Sequence, residues 1–217
     1  MYMPSRLAPG FVQAGGFAIS KDLRNGWDAL RWEDRSKLLK WLDTNDPDVV
    51  MGCPPCTMYS RLQHSNKRKI NEDKAACRRA DAHILLNFQM IVFKHRVATK
   101  QGFVYEHPAG ASSWDKPAVV EVSQLPGVMT VAFDQCRYGL TDTCGNLLKK
   151  PTKLMTNMPS VVMEFHNKSC TCAAPHGTCQ GWQAGASVAR RAQVYPPALV
   201  TALTKCSLQH VGLCVPQ

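Results

Sequence analysis

At 217 residues with 45% apolar side chains, the chain is long enough for one globular domain with a substantial core and a small elaboration. Its 26 Lys and Arg against 16 Asp and Glu give a formal charge of +10, which favours polyanionic partners, nucleic acid before a membrane or an acidic protein surface. No apolar run approaches the roughly 20 residues that span a bilayer. The start Met1-Tyr2-Met3-Pro4-Ser5-Arg6 is not a secretory signal, so the ten cysteines are expected to be reduced thiols in an intracellular protein, nuclear or cytoplasmic.

In chain order, Met1-Tyr2-Met3 has the character of a strand end, which predicts further chain before it. Residues 4–16 read as a loop and a short helix stopped by glycine, and Phe17-Ala18-Ile19-Ser20 as a second strand with Asp22 at its carboxyl end. Asn25-Gly26 marks a turn. Trp32, Leu38, Leu39 and Leu42 then give a helical apolar face that stops at Asp46-Pro47. Asp48-Val49-Val50-Met51 is a short buried strand, ended by Gly52-Cys53-Pro54-Pro55-Cys56 because proline cannot donate to a sheet ladder.

Arg61, His64, Lys67, Arg68 and Lys69 form a basic segment. A long helix is predicted from about residue 72 to 99, with Ala76, Ala80, Ile84, Leu85, Phe88, Ile91, Val92 and His95 on its apolar face. Phe103-Val104-Tyr105 is the next strand, closed by Glu106-His107-Pro108. Residues 128–133 are another, and 149–157 a returning hairpin arm. The core thus runs over residues 1–157. Residues 158–187, rich in Cys, His, Gly and Pro, read as an irregular insertion, and 188–217 as a closing segment with a final helix after Tyr195-Pro196-Pro197.

Two strand tips carry the chemistry. Open α/β sheets bind ligands outside the carboxyl ends of their strands, so Cys56 and Glu106 share one crevice if their strands are parallel neighbours. A cysteine reacts as its thiolate, which a cationic loop such as Arg61, Lys67, Arg68 and Lys69 favours. Glu106 can donate a proton if burial raises its pKa.

Pro54-Pro55-Cys56-Thr57-Met58-Tyr59-Ser60 resembles the Pro-Pro-Cys-Gln-x-Phe-Ser loop of the carbon-5 cytosine methyltransferases, and Glu106-His107-Pro108 falls where that family has Glu-Asn-Val. Arg137-Tyr138-Gly139 with Lys149, Lys150 and Lys153 resembles its Asp-Tyr-Gly and basic segment. Gln193-Val194-Tyr195-Pro196-Pro197 resembles its late cofactor-pocket element. Similar segments occur in retroelement polyproteins.

The resemblance implies a Rossmann-like, S-adenosylmethionine-dependent methyltransferase fold with a small irregular Cys/His-rich insertion in place of a target-recognition region. Cys56 would attack carbon 6 of a flipped cytosine and Glu106 would protonate ring nitrogen 3. Asp22, Pro54, Gln193 and Tyr195 would line the cofactor site. Ser60, Arg61, Lys67, Arg68, Lys69, His107, Arg137 and Lys153 would meet the nucleic acid, with DNA favoured over RNA. One departure stands out: the family's glycine-rich turn reads Met3-Pro4-Ser5-Arg6-Leu7 here, and proline and arginine do not let a backbone approach a cofactor as glycine does.

The same residues admit plainer readings. Cys56 can be a small buried residue, Glu106 a hydrogen-bonded or ion-paired carboxylate, and the basic run a solvated loop. A mobile-element module that keeps the base-binding crevice without the cofactor is the alternative function. Cys170, Cys172, His176 and Cys179, with His166 nearby, offer enough ligands for a tetrahedral zinc, although Cys-x-Cys-x-x-x-His-x-x-Cys matches no standard finger spacing. A small zinc-stabilised interaction domain is a third reading.

Overall fold

A computed structural model describes residues 6–60 and 71–213. Its centre is a mixed four-stranded sheet in the order β1-β2-β4-β3, formed by β1 (Val49–Gly52), β2 (Gly102–Pro108), β3 (Met129–Asp134) and β4 (Pro151–Thr156). β1 and β2 are parallel, with Gly52 level with Tyr105, while β4 runs antiparallel to both β2 and β3. Parallel neighbours need a long crossover, and the helix Glu72–Ala98 lies in the chain between β1 and β2.

Helices cover both faces. Phe103 and Tyr105 of β2 point into one layer with α2 (Trp32–Asn45), α3 (Glu72–Ala98) and α4 (Pro117–Ser123), while Val104 points into the other with α5 (Pro159–Phe165) and α7 (Pro197–His210). That alternation is the period of two of a strand buried on both sides. Phe93 of α3 stacks on Phe103 at 4.7 Å between ring centroids. Each fully buried side chain of this size contributes roughly 1.5–3 kcal/mol of burial free energy.

α3 starts where Asn71 caps it by accepting from the Lys74 amide at 3.2 Å, and it carries Glu72 and Asp73 in its first turn, where the helix dipole favours anions. Its buried residues include Ala75, Ala82, Leu86, Met90, Phe93 and Arg96. Ile84 and Ile91, expected on the apolar face, are 40% and 53% exposed, so the stripe is rotated from the one predicted. Arg96 is fully buried and donates to Asp46 Oδ1 and the Pro47 carbonyl, each at 3.2 Å. It thereby anchors the turn into β1, where Asp46 adopts φ 37°.

The predicted strand Phe17–Ser20 does not form. These residues follow α1 (Leu7–Gln13) with no ladder partner among the described residues, and Phe17 is 89% exposed. β-propensity favours an extended backbone but supplies no neighbour to pair with. The expected strand end Met1-Tyr2-Met3, and Pro4 and Ser5, lie outside the described residues. The stretch 158–187 divides in two: α5 starts on Pro159 and buries Val161 and Phe165, and irregular chain begins only after it. Among the described residues no helix is long and apolar enough to cross a membrane.

Candidate active site and metal cluster

The parallel pairing of β1 and β2 brings the Cys56 loop and Glu106 to the same end of neighbouring strands. Gly52 closes β1 where a side chain would collide with the Gln89 amide of α3, so the loop leaves the sheet close against that helix. Pro54 is buried and Cys56 half-buried, followed by the single helical turn Thr57–Tyr59 and half-buried Ser60. Arg61, Lys67, Arg68 and Lys69 lie outside the described residues.

Tyr195 ties this end of the sheet together. Its hydroxyl donates to Glu106 Oε2 at 2.9 Å and lies 2.9 Å from Cys53 Sγ. With the phenol proton engaged by the carboxylate, the Cys53 thiol is the donor to the phenol oxygen. That role requires a protonated sulfur. Burial, then the Glu106 charge, pushes the Cys53 pKa up to about 12, although other parts of the residue are exposed. The Tyr195 phenol is driven well above its usual range by burial and by the same two neighbours. Tyr195, expected in a cofactor pocket, is thus a partner of the Glu106 carboxylate.

The other carboxylate oxygen, Glu106 Oε1, is buried and accepts no hydrogen bond among the described residues. A buried polar atom left without a partner costs about 1–3 kcal/mol, and such atoms in a cleft mark places where a ligand completes the bonding. Burial, then Glu106, raises the pKa of Cys56, while Lys150 opposes the rise. Lys150 Nζ donates to the Ala192 carbonyl at 2.9 Å and is the cation that the described structure sets near the thiols. The sequence names Cys53 only where β1 ends and Lys150 only within a basic segment, with no site role for either. Cys53 was legible from register, since the residue after Gly52 is level with Glu106 once β1 and β2 pair in parallel.

His107 faces away from this crevice. It is 1% exposed, stacks on Tyr105 at 5.2 Å, and joins Pro54 to Ser113. Burial lowers its pKa, so the ring is neutral. Nε2–H donates to the Pro54 carbonyl at 3.0 Å, which leaves Nδ1 to accept from the Ser113 hydroxyl at 2.6 Å. The expected substrate contact at His107 is corrected to a positioning role behind the loop.

Other expected contacts also move. Lys153 lies over the Trp114 ring at 4.6 Å, on the His107 side of the sheet. Arg137 is exposed and donates to Thr171 Oγ1 in the irregular segment. Gln193 is exposed, its amide closing a turn onto the Arg190 carbonyl. A small cleft of about 100 Å³ beside the loop is lined by Met58, Tyr59, Ser112 and the basic side chains of Arg79, His83 and Lys116.

The described residues do not fit S-adenosylmethionine. Asp22, expected to hold the ribose, sits on no strand tip. It caps the turn Leu23–Asn25, accepts from the Arg24 amide at 2.8 Å and pairs with the Arg24 guanidinium, which holds its carboxyl below the usual range. The hollow between α1 and residues 18–24 is lined by Ala8, Pro9, Val12 and Ala18, and among the described residues its one charged lining residue is the cation Arg24.

A second cluster lies where β3 ends. Cys136, on the helical turn Gln135–Tyr138, meets Cys170, Cys172 and His176, with all four ligand atoms within 4.8 Å of one another. This three-cysteine, one-histidine group can hold a metal. Cys179, expected among the ligands, is not in it; its side chain packs against the apolar cluster of Leu140, Leu148, Val188 and Ala192. No family model, curated protein or solved structure matches this chain.

Proposed function

We propose that this chain binds an unstacked cytosine of a nucleic acid and adds Cys56 to its ring, the covalent chemistry of the carbon-5 cytosine methyltransferases on a Rossmann-like scaffold. The observation that carries the reading is Glu106 Oε1, a buried oxygen without a partner among the described residues, at the tip of the strand beside the one that delivers Cys56. In this step Cys56 gives up its thiol proton to solvent as the sulfur bonds to carbon 6, and Glu106, entering the step as the protonated carboxyl, gives its own proton to ring nitrogen 3. The electron pair of the carbon 5–carbon 6 bond then becomes available at carbon 5. Proton donation by a positioned acid contributes typically 100- to 10,000-fold to such steps.

The formal charge of +10 supports a nucleic-acid partner, and the basic cleft beside Met58 and Tyr59 offers a place for a phosphate. Base addition by an enzyme of this kind requires the base out of its stack, so DNA with an accessible cytosine is the favoured substrate. Asp22 supports a second reading, in which the crevice keeps base binding without a methyl donor.

An oligonucleotide carrying pyrimidin-2-one in place of one cytosine tests the first reading, because its carbon 6 is more electrophilic and needs no methyl donor to trap the thiol. The wild-type protein should form an adduct that survives denaturing electrophoresis. Cys56→Ser should abolish it, and Cys53→Ser should keep it. Absence of any adduct with single-stranded or duplex DNA overturns the proposal. Calorimetric titration with S-adenosylmethionine separates the two readings: heat of binding supports methyl transfer, and none supports the base-binding module.

A further inference from the structure

The segment from His166 to Ser187 contains no buried residue. Apart from the two-residue strands β5 (Trp182–Gln183) and β6 (Ala186–Ser187), it has no regular secondary structure. A stretch of this length cannot hold one conformation through apolar burial, and connections this long and structureless are uncommon in compact domains. It is nevertheless tied to one place. The Asp134 amide donates to the Lys168 carbonyl at 3.1 Å, and the Asp134 carboxylate accepts from the Cys170 amide at 2.8 Å. Further along, the Gly177 amide donates to the Leu147 carbonyl at 2.8 Å.

We propose that Cys136, Cys170, Cys172 and His176 bind one structural zinc ion that fastens this segment to the end of β3. Tetrahedral zinc, with bonds of about 2.3 Å to sulfur and 2.0–2.1 Å to nitrogen, sets its ligand atoms about 3.5–3.8 Å apart. Cys170 Sγ lies 3.4 Å from His176 Nε2, and no pair of the four ligand atoms is more than 4.8 Å apart. The cluster therefore needs only rotamer-scale adjustment to close around an ion. Three sulfurs and one imidazole nitrogen form a soft set that selects zinc over magnesium or calcium. Four protein ligands fill the tetrahedron, which makes the site structural rather than catalytic.

The ligands come from two separate parts of the chain, with Cys136 34 residues before Cys170. Binding free energy therefore becomes folding free energy for a segment that has no core of its own. The backbone bonds at Asp134 set Cys170 in place beside Cys136.

The test is metal analysis of the full-length protein purified under reducing conditions, combined with X-ray absorption at the zinc edge. The expected result is one equivalent of zinc with three sulfurs and one nitrogen in its first coordination shell. Cobalt replacement should give the absorption bands of a tetrahedral thiolate site. Cys136→Ser and Cys172→Ser should each lower the zinc content at least tenfold, and Cys179→Ser should leave it at one equivalent. Three results overturn the proposal: wild-type zinc below about a tenth of an equivalent, a disulfide among the three cysteines, or zinc lost in Cys179→Ser and kept in Cys136→Ser. The wild-type spectrum decides the matter even if a variant fails to fold.

Discussion

His107 Nε2 lies 3.0 Å from the carbonyl oxygen of Pro54, so a buried ring on β2 holds the loop that follows β1. Because that ring is neutral and also accepts from Ser113, removing it leaves two buried groups unpaired. His107→Ala should lower stability by about 2–4 kcal/mol, combining lost hydrogen bonds with a cavity. Urea unfolding followed by circular dichroism measures it; a change below about 0.5 kcal/mol would show that the ring does not hold the loop.

Tyr195→Phe removes the hydroxyl that meets both Glu106 and Cys53. Both oxygens of Glu106 then lack a partner among the described residues, and the carboxyl is free to turn. The rate of adduct formation with the pyrimidinone oligonucleotide should fall about tenfold, a loss of roughly 1.4 kcal/mol in the transition state. An unchanged rate would remove Tyr195 from any part in orienting the acid.

Cys56 has its pKa raised by burial and by Glu106, so at neutral pH it is a thiol more completely than free cysteine. Its alkylation by iodoacetamide, read by peptide mass spectrometry, should climb about tenfold per pH unit from pH 7 through pH 9. A plateau reached by pH 8 contradicts the assigned direction.

Arg96 is a charge buried without exposure, held by Asp46, Pro47 and His95. Arg96→Ala should cost about 3–5 kcal/mol, because it orphans the Pro47 carbonyl and opens a large cavity under the turn. Asp46→Ala, which leaves the guanidinium buried with one partner fewer, should also destabilise. Equal urea midpoints for Arg96→Ala and wild type would falsify the anchoring role.

Cys206 is buried on α7, and burial followed by Glu164 pushes its thiol up to about 12 from an ordinary 9.0. The native state therefore keeps its proton where the unfolded chain would lose it. This contribution is fully present below about pH 9 and is lost as pH rises toward 12, at up to roughly 1.4 kcal/mol per unit. Cys206→Ala should flatten the alkaline limb of the stability curve, measured by urea midpoints between pH 8.5 and 10.5.

The long helix, the four strands of the central sheet and the placing of the Cys56 loop and Glu106 at the same end of neighbouring strands were legible from sustained periodicity, β-branched runs ended by proline, and two polar strand tips. Phe17–Ser20 misled because extended propensity says nothing about a pairing neighbour. His107 could have been placed from the sequence alone, since consecutive strand residues face opposite sides and only one of Glu106 and His107 can line the crevice. Cys136 was not legible as a cluster member, because its approach to Cys170 depends on where the end of β3 lies in three dimensions. The capping role of Asp22 was open to view in Asp22-Leu23-Arg24-Asn25, where an Asx turn satisfies local amides.

β4 occupies the space between two strands that precede it in the chain. During synthesis β2 and β3 therefore emerge with a gap one strand wide, and the sheet cannot close until residues 151–156 have left the ribosome. At 5–20 residues per second, the roughly 40 residues from Tyr195 back to Thr156 take about 2–8 s more. For that interval the Cys56 loop and Glu106 are already in the growing chain without the phenol that joins them. The joining of Glu106 and Cys53 through one phenol thus waits until Tyr195 has been made, and a chain halted before it would carry both side chains without their shared partner.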